Sequence, residues 1–125
     1  MSSRPVRIPG PDHPISITPV RGRVVVRDGE HIIATTRRAL SLKEASYPAV
    51  FYLPREDADM AALRRSTSTT WCPYKGEAAY YSLPGDSERA TNAIWTYETP
   101  SEAVAAIRGH LAFYPDRVTI EHTPD

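Results

Sequence analysis

This chain has a single cysteine and no net charge. Only Cys72 is a cysteine among the 125 residues, which excludes an intrachain disulfide and a zinc site built from several thiolates. Fifteen basic residues balance fifteen acidic ones, so the chain has no overall attraction for a phosphate backbone. No cofactor fingerprint is present either. We therefore expect no bound metal, no cofactor and no general nucleic-acid binding.

Long apolar runs are also absent from the sequence. None approaches the roughly 20 residues that a membrane-spanning helix needs, and the N-terminal stretch MSSRPVRIPGPDHP lacks the apolar core of a secretory signal. We expect a soluble, cytoplasmic protein without membrane contacts. Its length suits one domain with a core and is too short for two ordinary domains.

Proline is concentrated at the N-terminus, where residues 1–19 hold five of the twelve prolines. Because proline forbids a regular helix and interrupts sheet pairing, this segment predicts an extended arm that either drapes over the domain or is partly mobile. The arm is mildly basic and offers one route to a partner or a homodimer; a solvated terminus is the alternative. Residues 20–122 predict a single domain.

Short β-branched runs separated by turn residues fill most of this domain. Asp28-Gly29 lies between two such runs and favours a two-residue type I′ turn, which predicts a hairpin of about 23–27 and 30–35. A second hairpin is expected around a turn at Pro115-Asp116. The candidates for the further strands are the stretches ALSLKEA, AVFYL, STSTT, EAAYYSL and NAIWTY.

Two other segments predict short helices. PREDADMAALRRS has a proline and acidic residues at its start and two arginines at its end. TPSEAVAAIRGH fits a capping box, with Thr99 as N-cap, Glu102 at the third position and Gly109 as terminator. Together with six or seven short strands, these helices predict a compact single domain of the mostly-β (α+β) class.

The stretch TTWCPYKGEAAYY, residues 69–81, is the richest in reactive side chains. Cys72 has no second cysteine three residues later, so a packed small hydrophobe is the main interpretation and a nucleophile the alternative. Lys75 lies in a turn from which it could direct a point charge at an anion. The hydroxyls from Ser66 to Thr70 could donate hydrogen bonds to such an anion. A solvated lysine and an ordinary polar strand are the alternatives.

Charged and aromatic residues outside that stretch add further candidates. Arg55 and Asp57 either cap a helix or present a guanidinium and a carboxylate to a ligand. Glu44 either faces a pocket or lies on the surface, and Trp95 either lines a pocket or fills the core. The candidate catalytic residues are Glu44, Asp57 and Lys75. The candidate ligand-binding residues are Arg55, Ser66, Thr70, Cys72, Lys75, Tyr80 and Trp95.

Four motifs occur together in this chain: Tyr52-x-Pro54-Arg55-x-Asp57, Thr70-x-Cys72-Pro73-x-Lys75-Gly76, Trp95-x-Tyr97-x-x-Pro100 and Phe113-Tyr114. They make residues 20–121 resemble the bacterial and fungal family called domain of unknown function 427. The resemblance implies a compact, mostly-β domain with bent antiparallel sheets, and the family has also carried the label of nucleotidyltransferase. Metal-dependent nucleotidyl transfer uses spaced aspartates. The one Asp-x-Asp here, Asp57-Ala58-Asp59, would point its carboxylates about 200° apart on a helix.

Two functions follow from these candidates. One is a domain that binds a small anionic or nucleotide-like ligand in a pocket lined by Arg55, Lys75, hydroxyl groups and aromatic rings, with nucleotidyl transfer as an associated activity. The other is a non-catalytic module that contacts a partner or a second copy of the chain through the arm or an exposed edge strand.

Overall fold

A computed structural model describes residues 4–125, and within that range ten strands form two antiparallel sheets. The mostly-β class is therefore confirmed, although the strands outnumber the six or seven predicted. The larger sheet has the order β1-β4-β5-β9-β8-β7-β6, and the smaller has the order β10-β2-β3. The strands are β1 (Ile15–Pro19), β2 (Arg23–Asp28), β3 (His31–Thr36), β4 (Leu40–Glu44), β5 (Val50–Pro54), β6 (Arg64–Cys72), β7 (Gly76–Ser82), β8 (Ile94–Thr96), β9 (His110–Phe113) and β10 (Thr119–Thr123).

The first predicted helix is wrong. Its segment forms two separate 3₁₀ turns, Arg55–Asp57 and Met60–Ala62. Between them, Ala58 forms a β-bridge with Ala34, and the backbone N–H of Asp59 donates to the carbonyl of Ile33 at 2.7 Å. Because this pairing with β3 takes the backbone groups that a helix would use internally, the helix cannot continue across it.

The second predicted helix is present, but only as the short 3₁₀ segment Glu102–Ile107. The expected capping box is not made: Ser101 is the N-cap, and it forms no side-chain cap hydrogen bond. Of this segment, only Val104 and Ile107 are buried. The segment is kinked at Val104, whose backbone is not helical (φ −124°, ψ 28°), and so short an α-helix would be marginal.

The hairpin at Asp28-Gly29 exists, but its turn is displaced by one residue. Asp28 pairs with His31, so the two central residues are Gly29 and Glu30. Of these two, only Gly29 has a positive φ, at 62°. A type I′ turn needs positive φ at both central positions, and so that turn assignment is wrong.

The predicted C-terminal hairpin is wrong. Strand β9 pairs with β5 and β8 in the larger sheet, whereas β10 pairs with β2 in the smaller one. The connection between β9 and β10 is held by Arg117, whose guanidinium donates to the carbonyls of Glu88, Arg89 and Thr91. These bonds tie the turn to the loop between β7 and β8, so the chain crosses to the second sheet instead of folding back on β9.

The N-terminal arm drapes over the domain and ends in a strand. The backbone N–H of Arg7 donates to the carbonyl of Pro73 at 2.9 Å, and the indole N–H of Trp71 donates to the carbonyl of Pro5 at 2.8 Å. Strand β1 pairs with β4 despite its terminal Pro19, which is tolerated because β1 is an edge strand. Residues 1–3 of the predicted arm lie outside the described residues.

Two apolar cores lie on opposite faces of the larger sheet, since neighbouring residues of a strand point to opposite sides. Leu53 and Leu111 pack against the smaller sheet in the first core. Tyr52 and Ala112, their neighbours in β5 and β9, belong to the second core, which the 3₁₀ segment Glu102–Ile107 completes. Among residues 4–125, no helix has the length and hydropathy needed to span a membrane.

The larger sheet curls around the second core. Strands β4 and β7 have β5, β9 and β8 between them, which corresponds to about 19 Å in a flat sheet with strands about 4.8 Å apart. Lys75, directly before β7, nevertheless forms an ion pair with Glu44 at the end of β4. The two side chains can meet only if the sheet bends, and a cavity lies beside them inside this bend.

Candidate functional site

A hydrogen-bonded ion pair between Glu44 and Lys75 lies at the centre of the site. Glu44 is two residues beyond Leu42 in β4, so its side chain points to the same side as the buried Leu42. Lys75 is in the tight turn between β6 and β7, and its Nζ donates to Oε1 of Glu44. The side chains are only 12% and 15% exposed for Lys75 and Glu44, so water screens their interaction weakly.

His13 of the N-terminal arm makes the second contact with Glu44. Its Nε2–H donates to Oε2 of Glu44 at 2.7 Å. The imidazole stacks on the ring of Tyr74, with 3.9 Å between the centroids and 4° between the planes. Glu44 therefore receives one hydrogen bond on each carboxylate oxygen, from two distant parts of the chain.

These contacts determine the charge of Glu44. Burial alone would raise the pKa of its carboxyl group, but the hydrogen bonds from Lys75 and His13 outweigh that effect and hold the pKa below its usual value. Glu44 is therefore a carboxylate at neutral pH. Both of its oxygens are already occupied as acceptors.

A cavity of about 190 Å³ opens beside this ion pair, inside the curl of the larger sheet. Aromatic rings form most of its wall, because β5, β7 and β8 each turn an aromatic side chain toward it. Tyr80 of β7 lies directly opposite Trp95 of β8 in the strand register. The lining residues are Leu42, Glu44, Tyr47, Pro48, Val50, Tyr52, Lys75, Tyr80, Trp95, Tyr97 and Tyr114.

Hydrogen bonds and ring contacts hold these aromatic side chains in place. The indole N–H of Trp95 donates to the hydroxyl of Tyr52 at 3.2 Å, and the two rings meet edge to face. The Trp95 and Tyr114 centroids are 4.6 Å apart. Burial raises the pKa of the Tyr52, Tyr97 and Tyr114 hydroxyls, so they stay neutral at pH 7.

The sequence of this folded region identifies its family. Residues 16–123 match the family model NTP_transf_9, which is described as Domain of unknown function (DUF427). The chain belongs to the DUF427 family. The resemblance predicted for residues 20–121 is thereby confirmed. No curated protein matches the chain.

This DUF427 domain brings four of the sequence candidates to one cavity. Glu44, Lys75, Tyr80 and Trp95 all line it. Thr70 is next to them, with its hydroxyl 2.9 Å from the hydroxyl of Tyr80. The roles proposed for these residues stay predictions.

Cys72 and Ser66 lie outside the cavity wall. Cys72 is partly buried and packs against the second core. Ser66 lies four residues before Thr70 in β6. Its hydroxyl accepts a hydrogen bond from the backbone N–H of Ser68 at 3.0 Å. Of the hydroxyl run from Ser66 to Thr70, only Thr70 is thus bonded to a residue of the cavity wall.

Arg55 and Asp57 lie apart from the cavity. The Arg55 guanidinium is 5.6 Å from the ring centroid of Tyr81 and forms an ion pair with Glu98 at 3.7 Å. Asp57 accepts a hydrogen bond from the hydroxyl of Thr36 at 2.6 Å, in a part-buried contact near the smaller sheet. Their motif beside β5 therefore positions neighbouring segments, and it does not place either charge beside Lys75.

The two carboxylates of the Asp-x-Asp motif also have separate partners. Asp57 pairs with Arg38 at 3.2 Å, and Asp59 pairs with His31 at 3.0 Å. Within residues 4–125, no group of three or more His, Cys, Asp and Glu side chains is arranged to hold a metal ion.

Several site residues were not among the sequence candidates, and His13 and Tyr114 are two of them. His13 was assigned to the arm, and its contact with Glu44 depends on the pairing of β1 with β4, in which Ile15 is opposite Glu44. No local pattern predicts that pairing. Tyr114 was recognised only within a family motif, and its position after the buried Phe113 at the end of β9 is the one sequence signal for a pocket role.

Proposed function

We propose that this DUF427 domain binds a small ligand with an anionic group and an aromatic, nucleotide-like ring in the cavity beside Lys75. The observation that carries the proposal is a lysine only 12% exposed at a cavity whose wall is mostly aromatic. Small-ligand sites are typically concave, with aromatic walls and a few placed polar groups, and this cavity combines aromatic rings with one charged pair.

The hydrogen-bonding capacity of Lys75 supports the anionic part of the ligand. An ammonium has three donors, and the described contact of Lys75 with Glu44 uses one of them. Glu44 offsets the cost of burying the lysine when no ligand is present. A carboxylate or phosphate oxygen of the ligand would then accept from the remaining donors, as it would from a lysine in other anion sites.

The aromatic wall supports the ring of the ligand. Trp95 and Tyr80 present π-surfaces on neighbouring strands, and ring stacking on such surfaces is favourable for nucleobases and other planar groups. The tyrosine hydroxyls add neutral donors and acceptors around the ring. Because Trp95 is fixed by Tyr52 and Tyr114, little side-chain freedom would be lost on binding.

The name of the family model makes nucleotides the first ligands to test. It denotes nucleotidyl transfer, which we propose only as an associated activity of this cavity. Glu44 would be the carboxylate nearest the bound ligand and the candidate general base. Arg55 and Asp57, which lie apart from the cavity, have no part in this proposal.

Titration calorimetry with AMP, ATP, sugar phosphates and small carboxylic acids tests the binding. We expect saturable binding to the wild type and at least about a tenfold loss in Lys75→Met/Glu44→Gln, since the anion loses its cation. Arg55→Met is the matched control and should bind like the wild type. Equal binding by all three proteins, or no binding at all, would contradict the proposal.

A second candidate function is self-association through β6. This strand is an edge of the larger sheet, and most of its nine side chains are exposed. Exposed edges can pair with another chain. Light scattering over a range of concentrations tests it: a dimer that Thr67→Lys disrupts supports the edge contact, whereas a monomer at all concentrations rules it out.

A further inference from the structure

A second cavity adjoins the one beside Lys75 and differs from it in chemistry. Its volume is about 420 Å³, and its wall includes the apolar residues Phe51, Phe113, Pro115 and Ile120. No charged side chain lines it within residues 4–125. An apolar concave surface of this size is a place where the apolar part of a molecule would leave water.

The two cavities are neighbours whose walls share residues. Tyr47, Pro48, Val50 and Trp95 line both of them. Trp95 contributes the rigid part of the shared wall, since Tyr52 and Tyr114 hold its ring. Tyr47 and Pro48 belong to the exposed loop between β4 and β5, which forms a common lip. Tyr47 is 62% exposed and has surface to bury against an occupant.

The charges in the first cavity limit what its occupant can carry. Lys75 and Glu44 are the two charged residues in its wall among the described residues. They already balance each other, and a polyphosphate would bring several negative charges toward one lysine and one carboxylate. A single carboxylate or phosphate ester group meets less repulsion from Glu44. The geometry therefore favours a ligand with one acidic group.

We propose that the ligand is an amphipathic acid: its single acidic group binds at Lys75, and its apolar ring or chain extends past Trp95 into the second cavity. This inference rests on the proposed function of the first cavity. It adds that the affinity comes mainly from the apolar body, and that triphosphates bind more weakly than acids with an apolar ring.

A set of matched probes tests the two parts of the ligand separately. Acetate and inorganic phosphate carry only the acidic group, benzyl alcohol carries only the ring, and 3-phenylpropionate and phenyl phosphate carry both. We expect the last two to bind at least about tenfold tighter than either single part, because they bury more apolar surface. We also expect ATP to bind more weakly than phenyl phosphate.

A pair of variants tests the second cavity without changing the core. Ala49 is an exposed residue on its rim, so Ala49→Trp would fill the cavity. Ala61 is exposed in the 3₁₀ turn Met60–Ala62 and gives the matched control, Ala61→Trp. We expect Ala49→Trp to lower the affinity for 3-phenylpropionate about tenfold or more and to leave acetate binding unchanged. Ala61→Trp should change neither affinity.

The outcomes separate this inference from the proposed function. The inference is wrong if the acids bind through Lys75 but the apolar body adds no affinity, or if Ala49→Trp does not change the affinity. Either result leaves the proposed function of the first cavity unaffected. Tighter binding by ATP than by phenyl phosphate likewise overturns the inference. If no acid binds in a way that depends on Lys75, the proposed function fails, and the inference fails with it.

Discussion

Removing the charge of Lys75 should destabilise the fold far more than removing an exposed charge. Lys75→Met keeps most of the side-chain volume but leaves the Glu44 carboxylate in a site where it is 15% exposed, with only His13 as partner. Breaking a buried pair costs about 3–5 kcal/mol. Because some water reaches this pair and the 2.7 Å bond from His13 persists, we expect about 2–3 kcal/mol.

Arg4→Met is the matched control for this prediction. Arg4 and Glu77 form an ion pair of similar geometry, at 2.7 Å, but their side chains are 53% and 44% exposed. Such pairs contribute about 0–1 kcal/mol. In thermal unfolding, about 2–3 kcal/mol corresponds to a fall in Tm of roughly 10 °C for a domain of this size, against a few degrees for the control.

The double variant Lys75→Met/Glu44→Gln identifies the cause of the loss. It removes both charges, so no unpaired carboxylate remains, and we expect it to recover at least about 1 kcal/mol relative to Lys75→Met. Urea denaturation of the four proteins gives these free energies of unfolding. If Lys75→Met costs no more than Arg4→Met, or if the second substitution recovers nothing, the pair does not stabilise the site as described.

The same pair should make stability depend on acid pH. The pKa of Glu44 in the fold lies below its reference value of 4.5, so its pairing stabilises the fold fully above that pH and is lost as the pH falls through the folded value. The difference in unfolding free energy between wild type and Lys75→Met should therefore be largest at neutral pH and shrink below about pH 4.5. A difference that is constant from pH 3 to 7 would contradict this.

Two further predictions concern stability. A Cβ at Gly22 would lie 2.1 Å from the backbone oxygen of Thr123, whereas a Cβ at Gly29 would meet nothing within 4 Å. Gly22→Ala should thus lower Tm clearly more than Gly29→Ala, although both have positive φ; similar shifts would contradict the close approach. Tyr52→Phe leaves the Trp95 N–H without its acceptor and should cost about 1–2 kcal/mol in urea denaturation. A loss below about 0.3 kcal/mol would mean that the hydrogen bond contributes little.

The strands were predictable where short-range patterns determine them. Val24 and Val26 alternate with outward residues in β2, and Pro73 to Gly76 turns β6 into β7, as the turn residues indicate. No short-range pattern indicates which strands pair when they are far apart in the sequence. Strand β10 joins β2 across nearly the whole chain, which is why the expected C-terminal hairpin was wrong. The first predicted helix failed for the same reason, since β3 pairs with its middle.

The candidate site was predictable in part. Glu44, Lys75, Tyr80 and Trp95 were chosen for their chemistry, and the curl of the larger sheet brings them together. Nothing local could predict that His13 would reach Glu44, because this contact needs both the β1–β4 pairing and the draped arm.

The most direct test of the proposed cavity is the NMR signal of the Trp95 indole N–H during titration with AMP and phenyl phosphate. The chain has two tryptophans, and Trp71, bonded to the carbonyl of Pro5 outside the cavity, is an internal control. The proposed function predicts a saturable shift of the Trp95 signal that is lost in Lys75→Met/Glu44→Gln, with Trp71 unchanged. No shift, or the same shift in both proteins, would contradict it.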